Sequence, residues 1–199
     1  HGGWDDDEYP NSLLGSIALI RQTFYDAEWY QNAWDIFKKF PNLNTMPNID
    51  DALAIISGAR GSNNPFFFHI KRENEIERVS KISKEFNLNT WMLGTGYEYR
   101  NLNLFSNFKP FVILPINLPA KPNVTTLASE LNVELRVLKH WDQAAYNPSR
   151  LLSENIEFSI TSHLTNTEDF RDNLIKLVRY GLDEKSAIAA LTTIPAKRL

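Results

Sequence analysis

The sequence predicts an α/β fold built on a parallel sheet. Two observations carry this. Short apolar runs rich in Phe, Val and Ile alternate with helix-period segments at spacings of about 20 to 25 residues, the signature of right-handed βαβ units. The first run, Pro65-Phe66-Phe67-Phe68-His69-Ile70, is apolar throughout, which predicts a strand buried on both faces.

Taken in order, residues 1–11 read as an irregular end. His1 beside Asp5, Asp6, Asp7 and Glu8 reads as a solvated acidic terminus. A long helix is predicted over Ser12 to Phe40, with Leu13, Ile17, Ile20 and Phe24 on one face, Ser12 as cap and Pro41 as stop. A second helix runs from about Ile49 to Ala59, with Ala52, Leu53 and Ile56 as its apolar side. The loop Arg60–Pro65 leads into the first strand.

The helix Glu73 to Phe86 follows, with Ile76, Val79, Ile82 and Phe86 on its apolar face. A second strand, Asn89 to Leu93, runs into Gly94-Thr95-Gly96-Tyr97-Glu98-Tyr99. A short helix, Arg100 to Phe108, precedes a third strand over Pro110 to Leu114. After a helix near Leu127 to Leu131, a fourth strand is predicted over Val133 to Leu138, ending in Lys139-His140-Trp141-Asp142. A helix near Pro148 to Glu154 leads to a fifth strand, Ile156 to Ser162. Two helices close the chain, Glu168 to Tyr180 and Glu184 to Thr193. Gly181 lies between them, and Asp183 caps the second. Five strands fit either an open doubly wound sheet or the later part of a (β/α)₈ barrel, which has eight strands over roughly 250 residues.

Composition narrows the function classes. Of 199 residues, 43% are hydrophobic and 23% charged, as in a soluble globular domain. A formal net charge of −3 supplies no basic excess to neutralise phosphates, so nucleic acid is not an expected partner. Zero cysteines exclude a disulfide framework, a thiolate metal site and a thiol nucleophile. No run of about 18 apolar residues predicts a membrane span, and the start of the chain has no signal-peptide pattern. The absence of an initial methionine and the abrupt ends raise the expectation of a piece of a longer chain. Gly94-Thr95-Gly96 lacks the third glycine and the acidic residue of a dinucleotide fingerprint, so no cofactor is expected there.

The polar groups fall in a pattern. His69, Glu98, His140 with Asp142, and His163 all lie at or just past the predicted carboxyl ends of strands, where α/β sheets and barrels assemble their sites. Histidine and carboxylate groups there can hold a divalent metal and acidify its bound water.

The same stretches resemble metal-dependent amidohydrolases of the imidazolonepropionase-like kind. The resemblance is carried by Pro65–Ile70 with Glu73-Asn74-Glu75-Ile76, then Leu138-Lys139-His140-Trp141-Asp142 to Asn147-Pro148, Phe158–Ser162, Asn173-Leu174 to Tyr180-Gly181-Leu182, and Ala189-Ala190-Leu191-Thr192-Thr193-Ile194-Pro195-Ala196. It covers about residues 10 to 199 and implies the later part of a TIM barrel, with 12–199 as a carboxyl-terminal portion of that domain. It implies metal-dependent hydrolysis of a C–N bond in a cyclic or linear amide, zinc being the expected metal. His69 then matches the fifth-strand metal ligand, Glu98 stands where the sixth strand usually supplies a histidine, and His163 stands where an aspartate normally shuttles the proton. His140 and Asp142 become substrate or neighbouring contacts. Because the early-strand histidines have no counterpart and the aspartate is replaced, the site is expected to be incomplete in this chain. The alternative is a non-catalytic barrel segment that serves as scaffold or partner-binding half. Expected partners are a small-molecule amide, the missing part of the barrel, or a second copy.

Overall fold

A computed structural model describes residues 10–199, so residues 1–9 of the expected irregular end, His1 and its acidic neighbours among them, lie outside the described residues. The described residues form two compact units, 10–65 with 82–89, and 66–81 with 90–199.

The first unit holds α1 (Leu13–Lys39) and α2 (Asp51–Gly61). Ser12 caps α1 by accepting from the Gly15 amide, and Asp50 caps α2 by accepting from the Leu53 amide, as short polar side chains at helix starts do. The expected face of α1 is only partly covered. Leu13 and Ile20 are exposed, and burial concentrates on Phe24, Ala27 and Tyr30. The reason is the partner available in this unit: Phe24 stacks on Phe86 at 4.9 Å between ring centroids, and Tyr25 meets the same ring edge-on at 5.0 Å. The Tyr25 hydroxyl donates to Glu85 at 2.8 Å, and Arg21 pairs with Glu85 at 2.7 Å.

The second unit holds four strands, β1 (Phe66–His69), β2 (Thr90–Leu93), β3 (Phe111–Pro115) and β4 (Phe158–Thr161). They pair in parallel in the order β1-β2-β3-β4, with Phe66 opposite Thr90, Trp91 opposite Phe111, and Val112 opposite Phe158. A doubly wound sheet reverses its strand order at a switch point, and this sheet has no such reversal. The connections are α3 (Ile76–Phe86), α4 (Leu102–Phe108), and a longer excursion of α5 (Leu127–Asn132), α6 (Leu135–Gln143) and α7 (Asn147–Ser153). The helices α8 (Thr167–Arg179), α9 (Glu184–Leu191) and α10 (Thr193–Arg198) follow β4. Gly181 adopts φ +97° after α8, where a side chain would be strained, and Asp183 caps α9 by accepting from the Ser186 amide.

Two expectations are corrected. Residues 133–138 form no strand. They enter helix α6, because Glu, Leu, Arg and Lys are good helix formers and the alternating apolar residues have no sheet to face: Leu135 and Val137 are exposed. His140 and Asp142 therefore sit on a helix and not past a strand end. The first strand is also not buried on both faces. It is the edge of the sheet, and Phe67 is 54% exposed.

Behind β2, β3 and β4 lies one apolar core. Ile76, Met92, Phe105, Val112, Leu151 and Leu177 are among its least exposed members, drawn from helices and strands alike. Burial on this scale makes each side chain count. Phe105→Ala should cost about 3–5 kcal/mol of unfolding free energy through lost transfer energy and a residual cavity, whereas Phe67→Ala should stay within about 1 kcal/mol. Urea unfolding of the two variants followed by circular dichroism measures both.

Candidate functional site

Directly past the carboxyl end of β2 the chain makes a tight loop, Gly94 to Tyr97, then a 3₁₀ turn over Glu98–Arg100. The loop closes around one carboxylate. Glu98 has 0% relative exposure. One of its oxygens accepts from the Thr95 amide in a very short contact, from the Thr95 hydroxyl at 3.1 Å and from the Gly96 amide at 3.1 Å. The other accepts from Asn147 Nδ2 at 2.6 Å. A buried carboxylate is tolerable only when its lone pairs are filled in this way.

The two glycines have separate reasons. Gly96 has φ +82°. A Cβ at Gly94 would stand 2.8 Å from Glu98 Oε1 and 3.3 Å from Val112 Cγ1, too close for any side chain without displacement. The Gly-Thr-Gly loop thus cradles an anion, but the anion is the chain's own Glu98.

Asn147, 2% exposed at the start of α7, completes the arrangement. Its amide nitrogen donates to Glu98 while its Oδ1 accepts from the Tyr99 amide at 2.8 Å. That fixes the turn on which Tyr97 and Tyr99 stand. His140 of α6 stacks on Tyr97 with ring centroids 3.7 Å apart, and the Tyr99 hydroxyl lies 3.2 Å from His140 Nδ1. Arg100 Nε donates to the same hydroxyl at 3.4 Å.

Burial holds His140 far below the usual histidine range, at about 4; the Arg100 charge lowers it further and Glu73 opposes. Arg100 donates to Glu73 at 2.9 Å. Burial pushes the Glu73 carboxyl up, but backbone hydrogen bonding and Arg100 outweigh it and hold the group below its ordinary value.

A cavity of about 220 Å³ opens beside this assembly, lined by Thr95, Gly96, Tyr97, His140 and Asn147 on one side and by Pro115 to Pro119 on the other. It sits at the carboxyl ends of β2 and β3, the end of a parallel sheet where ligands bind.

The residues singled out in the sequence divide into two sets. Glu98 and His140 are brought into one network through Asn147 and Tyr99. His69 is exposed at the end of β1, and His163 is exposed two residues past β4, its amide donating to Thr161 Oγ1 at 3.2 Å. Asp142 is exposed on α6, where it accepts from the side chain of Gln143. Among the described residues, no three His, Asp or Glu side chains stand together as a metal-binding group. Sequence reasoning missed Asn147, Tyr97 and Tyr99 as parts of the site. Gly94-Thr95-Gly96 was the visible signal for the loop, but nothing local announces that an Asn 49 positions away fills the carboxylate's second oxygen.

Neither a family model nor a curated protein matches the chain. Among solved structures, it is similar to an amidohydrolase from Thermotoga maritima MSB8, with a TM-score of 0.68 and 19% identity over 94% of this chain and 45% of that one. This likeness shows a shared α/β fold, and the chain spans less than half the length of that protein.

Two predictions follow from the geometry. Glu98→Ala leaves two loop amides and the Asn147 amide group without their acceptor and should cost about 3 kcal/mol or more, measured by urea unfolding. His140 is harder to protonate folded than unfolded, so the unfolded chain binds more protons between its ordinary pKa of 6.5 and its folded value of about 4. Stability should therefore fall as pH drops through that window, and unfolding curves of His140→Phe should show a shallower acid loss.

Proposed function

We propose that this chain is the carboxyl-terminal portion of an amidohydrolase-like (β/α)₈ barrel domain. Its parent protein hydrolyses a C–N bond, other than a peptide bond, in a small cyclic or linear amide. The observation that carries the reading is the pocket at the carboxyl ends of β2 and β3, in a fold similar to an amidohydrolase at TM-score 0.68. The remainder of the barrel would pair along β1, the sheet edge with the exposed Phe67.

In this reading the chain's own residues bind and orient the substrate. The His140 imidazole lines the pocket as a hydrogen-bonding group for the substrate amide, and its ring is held flat against Tyr97. Apolar groups of Leu114, Ile116 and Leu118 shape the opposite wall.

An amidohydrolase of the imidazolonepropionase-like kind implies a divalent metal, with zinc the expected one. The donor set here does not fit a complete centre. His69 offers an accessible imidazole, but both Glu98 oxygens are already filled by donors, and His163 is an imidazole where the chemistry asks for a carboxylate base. No step is assigned to a metal within this chain.

The same observation favours a second reading, in which the segment is a non-catalytic scaffold or partner-binding half. The two separate on one comparison. In the enzyme reading, full-length protein saturated with zinc binds metal and turns over small amides, and His69→Ala lowers both metal content and turnover by about tenfold or more. Metal content and turnover unchanged by His69→Ala, or a full-length protein that takes up no zinc, leaves the scaffold reading standing.

A further inference from the structure

On the other side of the Tyr97, Tyr99 and His140 assembly lies a second cleft, of about 630 Å³, between the 3₁₀ turn Glu98–Arg100 and helix α6. Three cationic side chains line it, Arg100, Arg136 and Lys139, against one carboxylate, Asp142. Glu73 beside the cleft already pairs with Arg100, so the positive charge left for a ligand is carried by Arg136 and Lys139.

The three cations differ in what they already do. Arg100 is held in place by Glu73 at 2.9 Å and lies over the Tyr97 ring at 4.5 Å, so little freedom remains for it to lose on binding. Arg136 has one ion pair, to Glu134 at 4.0 Å with both side chains more than 70% exposed, a contact that contributes little in water. Lys139 has no ion pair among the described residues. Arg136 and Lys139 are three apart on α6 and so share a face of that helix. The opposing carboxylate is occupied: Asp142 accepts from the Gln143 amide group, whose oxygen accepts in turn from Arg150.

We propose that this cleft binds a small oxyanion, a carboxylate or a phosphate group, with Arg136 and Lys139 as its principal donors and Arg100 as a fixed positive charge. A guanidinium and an ammonium on one helix face suit either anion, since both present several acceptor oxygens to charge-assisted hydrogen bonds. This inference does not depend on hydrolase activity, because the cleft and its charges are complete within the chain.

Isothermal titration calorimetry of the full chain in low-salt buffer, with inorganic phosphate in one arm and succinate in the other, tests it. The expected result is saturable binding of at least one probe that weakens about tenfold or more in the double variant R136A/K139A, and that falls steeply with added salt. Phosphate alone, succinate alone, or both identify which oxyanion the cleft takes. Both substituted residues are exposed, and circular dichroism checks that the double variant keeps its fold; the single reversal Lys139→Glu supplies an independent variant with the same expected loss. K176A/R179A, which removes two positive charges from α8, should leave binding unchanged. Absence of binding by both probes overturns the proposal. So does equal binding by wild type and R136A/K139A, or equal weakening by the α8 variant.

Discussion

A single buried carboxylate organises the functional end of the sheet. Glu98 has no access to water, so its charge must be met by protein donors, and meeting it determines the path of the chain around it. The loop after β2 turns its amides inward to supply some of those donors. Gly94 must lack a side chain to let the carboxylate approach, and Asn147 must come across from α7 to fill the remaining oxygen. Because Asn147 also accepts from the Tyr99 amide, the same contact sets where Tyr97, Tyr99 and His140 stand. One electrostatic requirement is thereby converted into the geometry of a pocket wall. Such a network is cooperative in its failure as well: removing one member leaves several buried groups without partners.

The helices and most of the sheet were legible because their signals are local. Ser12 and Asp183 cap the helices they introduce, and the face Ile76, Val79, Ile82 and Phe86 is buried as its 3.6-residue period requires. Four of the apolar runs became strands. The stretch 133–138 did not, since its alternation of Val, Leu and Val mimics a strand while its charged residues favour a helix, and only the absence of a neighbouring strand decides the matter. The burial of Pro65–Ile70 was misread for a related reason. An apolar run says that a strand can be covered on both faces, and its position at the edge of the sheet is a property of the assembled topology.

The site was legible in its location and less so in its roles. Strand ends were the right places to look, and Glu98 and the Gly-Thr-Gly loop lie there. What a sequence cannot show is whether a carboxylate's oxygens are already taken. Glu98 looks like a ligand in one dimension and is a filled acceptor in three. His140 was picked for a strand end it does not occupy, yet it lines the pocket from α6, because the helix carries it to the same rings that the β2 loop presents. His69 and His163 are exposed, and neither belongs to a group of three His, Asp or Glu side chains among the described residues.

The two walls of the small pocket are held very differently. On the β2 side, Thr95 and Gly96 are held by hydrogen bonds to Glu98, and Tyr99 by one to Asn147. On the β3 side, the stretch 116–119 is tied by the Leu118 amide to the Ile116 carbonyl at 3.0 Å and by Asn173 to that same carbonyl at 2.9 Å, and its side chains at 117–119 reach solvent. Descent with modification would act unevenly on such a pair. Substitutions at Asn117 or Pro119 can reshape what fits with little effect on the fold, while the facing wall admits far fewer. The pocket is built as a fixed template with an adjustable jaw, an arrangement in which a new ligand preference can arise one residue at a time.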